Sequence, residues 1–226
     1  MNKSICLKTD EVRYILDDKK KTIRIPIKRT PSNDEPCGYG FWKAYEERDG
    51  RWYIKDYTHS PVWWTLEEYI DKYSKYRVGD VIWVKETWTF CNGLKLCKPS
   101  TMSKNAIVNQ KNENLVWYKA DDNEEIPDNL IVGEKLMSRD KWKSSVHMPK
   151  ELSRIFLEIV DIKIERLQKM NTEDFLNEGV REYTKEPKEA YIKYWNGSLS
   201  KNKKDMYSWE QNPYVWVIEF KRINKL

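Results

Sequence analysis

The sequence predicts an α+β, β-dominated fold: a small β-barrel with short flanking helices and surface insertions. Strand-like apolar runs recur along the chain, in KTIRIPIKR, GDVIWV, LSRIFLEIVDIKIERL and PYVWVIEFKRI, while helical spacing is confined to short windows between them. The longest run changes phase, because Ile155, Leu157 and Ile159 occupy odd positions whereas Ile162 and Ile164 occupy even ones. One extra residue near Val160–Asp161 explains this as a β-bulge of the kind that bends a strand in a closing barrel. Ile159 and Ile162 are then both expected to be buried, although a regular strand puts them on opposite faces.

In order, KSICLK reads as a short opening strand and TDEVRYILDDKK as a helix capped by Thr9 or Asp10, with Val12, Ile15 and Leu16 on one face. The basic strand KTIRIPIKR contains Pro26, which suits an edge strand or a bulge. Residues 31–62 read as loop plus a hairpin in which FWKAYEER and RWYIKDY flank Asp49–Gly50. TLEEYIDKYSKY is a helix, followed by the GDVIWV strand. Residues from Cys91 to Lys143 are polar and Asn-rich, with LVWYKA as one strand. NTEDFLNEG is a short helix capped by Asn171 and closed by Gly179, and EPKEAYIKYWNG a second helix ending at Asn196–Gly197. A basic loop and the strand PYVWVIEFKRI complete the chain.

The expected organisation is one elaborated domain over residues 1–226, with insertions at about 31–70 and 91–142. Apolar residues make up 39% of the 226, including 11 Trp and 14 Tyr, enough for a core beside 34% charged residues. MNKSICLKTDEVRY lacks the apolar run of a signal peptide, and no window approaches the ~20 apolar residues of a membrane span. A soluble, cytoplasmic chain with no membrane partner is expected. Cys6, Cys37, Cys91 and Cys97 read as free thiols, and Cys91 and Cys97 lack the neighbouring ligands of a zinc site, so neither metal nor cofactor is expected. The net charge of +5 permits nucleic-acid binding without demanding it. Lys19, Lys20, Lys21, Arg24, Lys28 and Arg29 form one basic group and Lys201, Lys203 and Lys204 another; each suits phosphate contact or a solvated face.

In GDVIWVKETW, Ile82, Val84, Glu86 and Trp88 share one strand face and Val81, Trp83, Lys85 and Thr87 the other. Both faces begin apolar and then receive a charge, which must pair or reach water. Lys85 and Glu86 are therefore expected where the strand reaches a rim beside a cleft.

Four segments in order, EVRYILDDKKKTIR, YRVGDVIWVKETW, SSVHMPKELSRIFLEIVDIKIERLQKMNTEDFLNEGV and NPYVWVIEFKRI, resemble the ASCH domain proteins of phage and prophage type, members of the PUA-like superfamily. The resemblance implies a barrel similar to RNA-binding PUA domains and a phage-encoded or bacterial chain. Among small members of that family it also implies hydrolysis, either of acetylated cytidine or of RNA. The family's Gly-x-Lys motif with a later Arg is matched by Asp18-Lys19-Lys20 and Arg24, with Asp18 in place of the glycine. The hydrolases' catalytic Thr falls at Ile23, whose neighbour Thr22 points to the opposite side of a regular strand, and their later Glu matches Glu178.

Lys20 and Glu178 are accordingly the candidate catalytic pair, and Lys20, Lys21, Arg24, Lys85, Glu86, Trp88 and His147 the candidate ligand-binding residues. A catalytic Lys must lose its proton near neutrality at a cost of about 4 kcal/mol, whereas phosphate contact requires no such shift. Glu86 stands between structural pairing with a basic residue and a direct role, and His147 between a backbone-bonded loop residue and a titrating contact. Trp88, Trp142, Trp195 and Trp216 read as core, with one or two at a cleft mouth able to stack on a base. The leading reading is binding of RNA, another single strand or a nucleotide. The alternatives are a hydrolase of the same fold, acting on a modified nucleobase or as a nuclease, and a phage accessory protein that binds a host protein through the aromatic insertion.

Overall fold

The computed structural model describes residues 3–27, 45–48, 51–56, 62–90, 116–121, 129–132, 135–138, 141–180 and 186–224. Strand β1 (Ser4–Cys6) leads into helix α1 (Thr9–Leu16), where Val12 and Ile15 share a buried face. The cap lies one residue before the expected pair: the Lys8 N–H donates to Glu11 Oε2 at 2.9 Å. Beyond α1, Asp18 has φ 56°, the left-handed conformation that glycine adopts freely and Asp tolerates. The Lys19 and Lys20 N–H groups then both donate to Tyr14 O, at 2.8 and 3.1 Å, closing the helix end.

Strand β2 (Thr22–Pro26) follows. Strands β3 (Tyr45–Arg48), β4 (Arg51–Asp56) and β5 (Val62–Thr65) form an antiparallel sheet in which Arg48 pairs with Arg51. β5 is a strand without a counterpart in the sequence pattern and overlaps the expected loop only at Val62. Helix α2 (Leu66–Tyr73) starts in a reciprocal cap, with Thr65 Oγ1 accepting from the Glu68 N–H at 3.2 Å and the Thr65 N–H donating to Glu68 Oε2 at 2.8 Å. Strands β6 (Val81–Lys85), β7 (Trp88–Phe90) and β8 (Val116–Tyr118) come next; β7 and β8 pair antiparallel. β9 (Asn129–Val132) and β10 (Lys135–Ser138) pair antiparallel, two strands that the polar composition of this segment concealed.

After β11 (Phe156–Arg166), helix α3 (Thr172–Asn177) carries the expected cap: Asn171 Oδ1 accepts from the Asp174 N–H at 2.9 Å. Helix α4 (Pro187–Ser198) runs through Gly197, which was expected to end it. The basic loop is instead helix α5 (Lys201–Tyr207), whose lysines are exposed and whose end is anchored by Trp195 Nε1 donating to Tyr207 O at 2.8 Å. Strand β12 (Tyr214–Ile223) closes the order.

The chain divides into two compact units, Met1–Lys21 with Val81–Glu158 and Lys221–Leu226, and Thr22–Asp80 with Ile159–Phe220. In the first, β1 pairs parallel to β6 and the start of β11 pairs antiparallel to it, with Leu157 opposite Ile82. In the second, β12 pairs antiparallel to β2, with Val217 opposite Arg24. The order β1-β6-β11-β12-β2 makes a five-stranded sheet in a mixed α and β fold. This corrects the closed barrel: β1 and β2 are the two ends of the ladder among the described strands, so the sheet is open. β1 is only three residues long, and Pro26 in β2 has no N–H for a further ladder, which suits the edge position its proline suggested.

The phase change in β11 is present. Ile159 and Ile162 are 1% and 4% exposed, while Val160 and Asp161 between them both face solvent. The Ile162 N–H is turned to Asp161 Oδ1 at 2.8 Å. Before the shift, Ile159 is anchored by the Gly79–Asp80 turn: the Gly79 N–H donates to Ile159 O at 2.8 Å and the Ile159 N–H to Asp80 O at 3.0 Å. Gly79 has φ 83°, which favours glycine at this turn. The core of the second unit gathers Leu167, Phe175, Tyr191, Trp195, Trp209 and Val215. Deleting Val160 and Asp161 together should turn Ile162 and Ile164 outward, costing ~3–6 kcal/mol for two isoleucines, whereas in a strand without a bulge the loss of two residues keeps the phase. Val160→Thr should stay within about 0.5 kcal/mol. Urea denaturation of both variants checks this, and equal losses would refute the bulge.

Candidate functional site

Each unit holds a carboxylate almost wholly removed from water, and each meets an arginine. In the first unit Glu86, 1% exposed, directly follows β6 and accepts from Arg154 Nε at 2.9 Å and Arg154 Nη2 at 3.0 Å. This bidentate pair meets the requirement that a buried charge be compensated. The same guanidinium donates from Nη1 and Nη2 to Asp121, at 2.6 and 2.9 Å, and lies 4.1 Å from the Tyr118 ring centroid. Burial lowers the Arg154 pKa, but its bonds to Glu86 and Asp121 more than reverse this, leaving it above the ordinary value. Burial, reinforced by Glu86, pushes the Tyr118 phenol well above its usual range, and its hydroxyl donates to Leu152 O at 2.6 Å.

Other expected site residues of this unit are spread over distinct environments. Lys20 is buried with its Nζ 3.8 Å from Glu11 Oε1, and Lys21 is exposed. Lys85 Nζ donates to Val146 O at 3.1 Å and sits 5.0 Å from the Trp83 ring centroid. Trp88 is fully buried against Val116, Met148 and Leu152, so it is core and presents no ring to a base. His147 is exposed in a short turn, its N–H donating to Ser144 O at 3.1 Å. Half-buried Trp142 has Lys119 Nζ 6.0 Å from its ring centroid, and exposed Lys141 and half-buried Lys143 flank it in the chain.

In the second unit, alternation along β2 puts Thr22 and Arg24 on one face. Arg24, buried, donates from Nη1 to Glu178 Oε1 and from Nη2 to Asp174 Oδ1, each at 3.0 Å, with Glu165 Oε2 3.7 Å from Nη2. Thr22 Oγ1 donates to the same Glu178 oxygen at 3.3 Å. Asp174 also accepts the Asn171 N–H at 2.9 Å, so the cap of α3 and the ion pair share one side chain. Burial lowers the Arg24 pKa, but Glu178, Tyr191 and Asp174 together outweigh it, and it lies above the ordinary value. Arg24 Nε is buried with no hydrogen-bond partner among the described residues.

Glu86 thus takes the structural pairing its sequence allowed, and Glu178 meets Arg24 and Thr22. Arg154, Asp121, Tyr118, Asp174 and Glu165 join the sites only through the fold; Arg154 left one signal, a cation near the head of an apolar run. Lys28, Arg29, Cys37, Cys91 and Cys97 lie outside the described residues. The fold and site define a mixed α and β protein with an open five-stranded sheet and two arginine–carboxylate networks. No protein-family model matches the chain, nor does any curated protein or solved structure. Among the described residues no helix is long and apolar enough to cross a membrane.

The raised Tyr118 pKa has a definite sign. Above pH ~10 the unfolded phenol ionises while the folded one stays protonated, so stability is complete below the unfolded value and falls as pH rises towards the folded one. Wild type should therefore lose up to about 1.4 kcal/mol per pH unit relative to Tyr118→Phe above pH ~10, with a constant difference below pH ~9. Chemical denaturation across this range measures the difference.

Proposed function

We propose that this chain is an ASCH-type, PUA-like protein that binds RNA, another single strand or a nucleotide through a cationic and aromatic face of its first unit. The observation that carries the reading is Trp142, half-buried beneath the Lys119 ammonium at 6.0 Å and flanked by Lys141 and Lys143. A half-buried indole beside exposed cations suits base stacking together with phosphate attraction. The glycine-like φ of Asp18 and the position of Glu178 beside Arg24 support the family likeness. With it goes a phage-encoded protein of the bacterial cytoplasm. Lys20 and Arg24 are buried and ion-paired, so the cations offered to phosphate are exposed ones, Lys19, Lys21, Lys119 and Lys141.

Four such contacts give a log affinity for a single-stranded oligonucleotide that falls with log salt at a slope near −3, from ~0.7 per contact. Replacing Lys119 and Lys141 by Ala should flatten the slope by about 1.4, and Trp142→Ala should cost ~1–3 kcal/mol at an unchanged slope. Fluorescence anisotropy over a salt series measures both. A slope unmoved by the lysine variant would make this a solvated surface.

The hydrolase reading is favoured by one specific contact, the Thr22 hydroxyl on Glu178. Thr22, rather than Ile23, supplies the nucleophile type that acyl transfer needs, with Glu178 placed to accept its proton. Turnover of free acetylcytidine is then expected in wild type and Thr22→Ser and lost in Thr22→Val, as product formation would show. The host-protein reading rests on residues 31–70, most of whose side chains lie outside the described residues.

A further inference from the structure

The two edges of the Arg154 guanidinium have unlike surroundings. Its Nε and Nη2 edge is clamped by Glu86, whose side chain is 1% exposed, while its Nη1 and Nη2 edge is held by Asp121, whose side chain is 46% exposed. One planar face lies against Tyr118. The fork is therefore charged, oriented and held from behind, and its outer partner alone is readily released to water.

We propose that this outer edge is a phosphate-binding site held in cis by Asp121, whose carboxylate occupies the place of a ligand phosphate. The Nη1 and Nη2 pair that grips two carboxylate oxygens matches two phosphate oxygens equally well, and an arginine fixed in advance loses little freedom on taking such a ligand. Glu86 cannot be the partner that leaves, because a buried carboxylate stripped of its cation is strongly disfavoured. Asp121 can leave, since an exposed pair contributes little and its carboxylate regains water. The backbone beneath stays in place: Arg13 Nε donates to Ala120 O at 2.9 Å, within the turn Lys119–Asp121. That turn also carries Lys119, the cation over Trp142, so a phosphate at Arg154 and a base at Trp142 would both meet residues of this one turn. As a subsite for the phosphate of a bound strand or nucleotide, the site rests on the nucleic-acid reading; as a receptor for phosphate alone it does not.

Competition from Asp121 lowers apparent affinity by the fraction of molecules in which the edge is open. In the 226-residue chain, Asp121→Asn should bind inorganic phosphate and a short fluorescent oligoribonucleotide roughly five- to tenfold more tightly than wild type. Asp10→Asn, which removes an exposed charge salt-bridged to Arg13, should give no such gain. In the Asp121→Asn protein, phosphate should shift the Arg154 Nε–H resonance, and adding Arg154→Lys should abolish the gain. Absence of gain with both probes, an equal gain in Asp10→Asn or an unmoved Arg154 resonance would overturn the site. If both proteins bind the oligonucleotide equally and neither takes up phosphate, the site fails while nucleic-acid binding stands. If Asp121→Asn takes up phosphate but neither protein binds the oligonucleotide, the site stands and the nucleic-acid reading falls.

Discussion

Removing a carboxylate from water is so unfavourable that its compensation constrains everything near it. Glu86 imposes this in the first unit. Its two oxygens require the Arg154 fork in one orientation, which in turn sets the guanidinium on Tyr118 and aims its free edge at Asp121. In the second unit Arg24 imposes the same condition with the sign reversed. Asp174 and Glu178 converge on it from α3 and the residue that follows, and Asp174 meets both this demand and that of the helix cap. In each network the innermost pair is fixed, since losing Arg154 would strand Glu86 and losing Glu178 would leave Arg24 short of a counter-charge in a poor solvent.

This division separates the basic residues by role. Lys20 and Arg24, the centre of the most basic stretch of sequence, are interior and paired, and their charge is consumed by the fold. Lys119 and Lys141 draw no notice in a polar, Asn-rich segment, yet they are exposed beside a half-buried indole. Density of positive charge along the chain is thus a poor guide to positive charge at the surface here. A carboxylate on another element decides which cations are drawn into the interior.

Local features were the legible part. The change of apolar phase in β11, the Asn171 cap and the proline of an edge strand all depend on residues within a few positions of one another. The positions of Ile162, Asp174 and Pro26 followed from them. Features set by distant partners were hidden: Arg154 and Asp121 lie 33 residues apart, and Arg24 and Glu178 lie 154 apart. The barrel failed for a related reason, because closure depends on whether β1 and β2 meet, and no pattern internal to either strand states that. α5 was missed because three exposed lysines leave no apolar stripe; the helix is anchored through buried Tyr207. At the site, the residue types were foreseen for Glu86 and Glu178 but their partners were not, and Thr22 entered only as the neighbour of Ile23.

An open sheet also exposes a protein to itself. Unpaired N–H and C=O groups along a terminal strand can recruit the same strand of another copy, the first step in edge-to-edge aggregation. β1 offers only three residues for such pairing, and β2 ends in a proline that has no donor to give. An aromatic-rich chain with 11 Trp and 14 Tyr has much to lose from such templating. Among the described strands, brevity at one end of the ladder and a missing hydrogen at the other limit the groups on offer for such pairing.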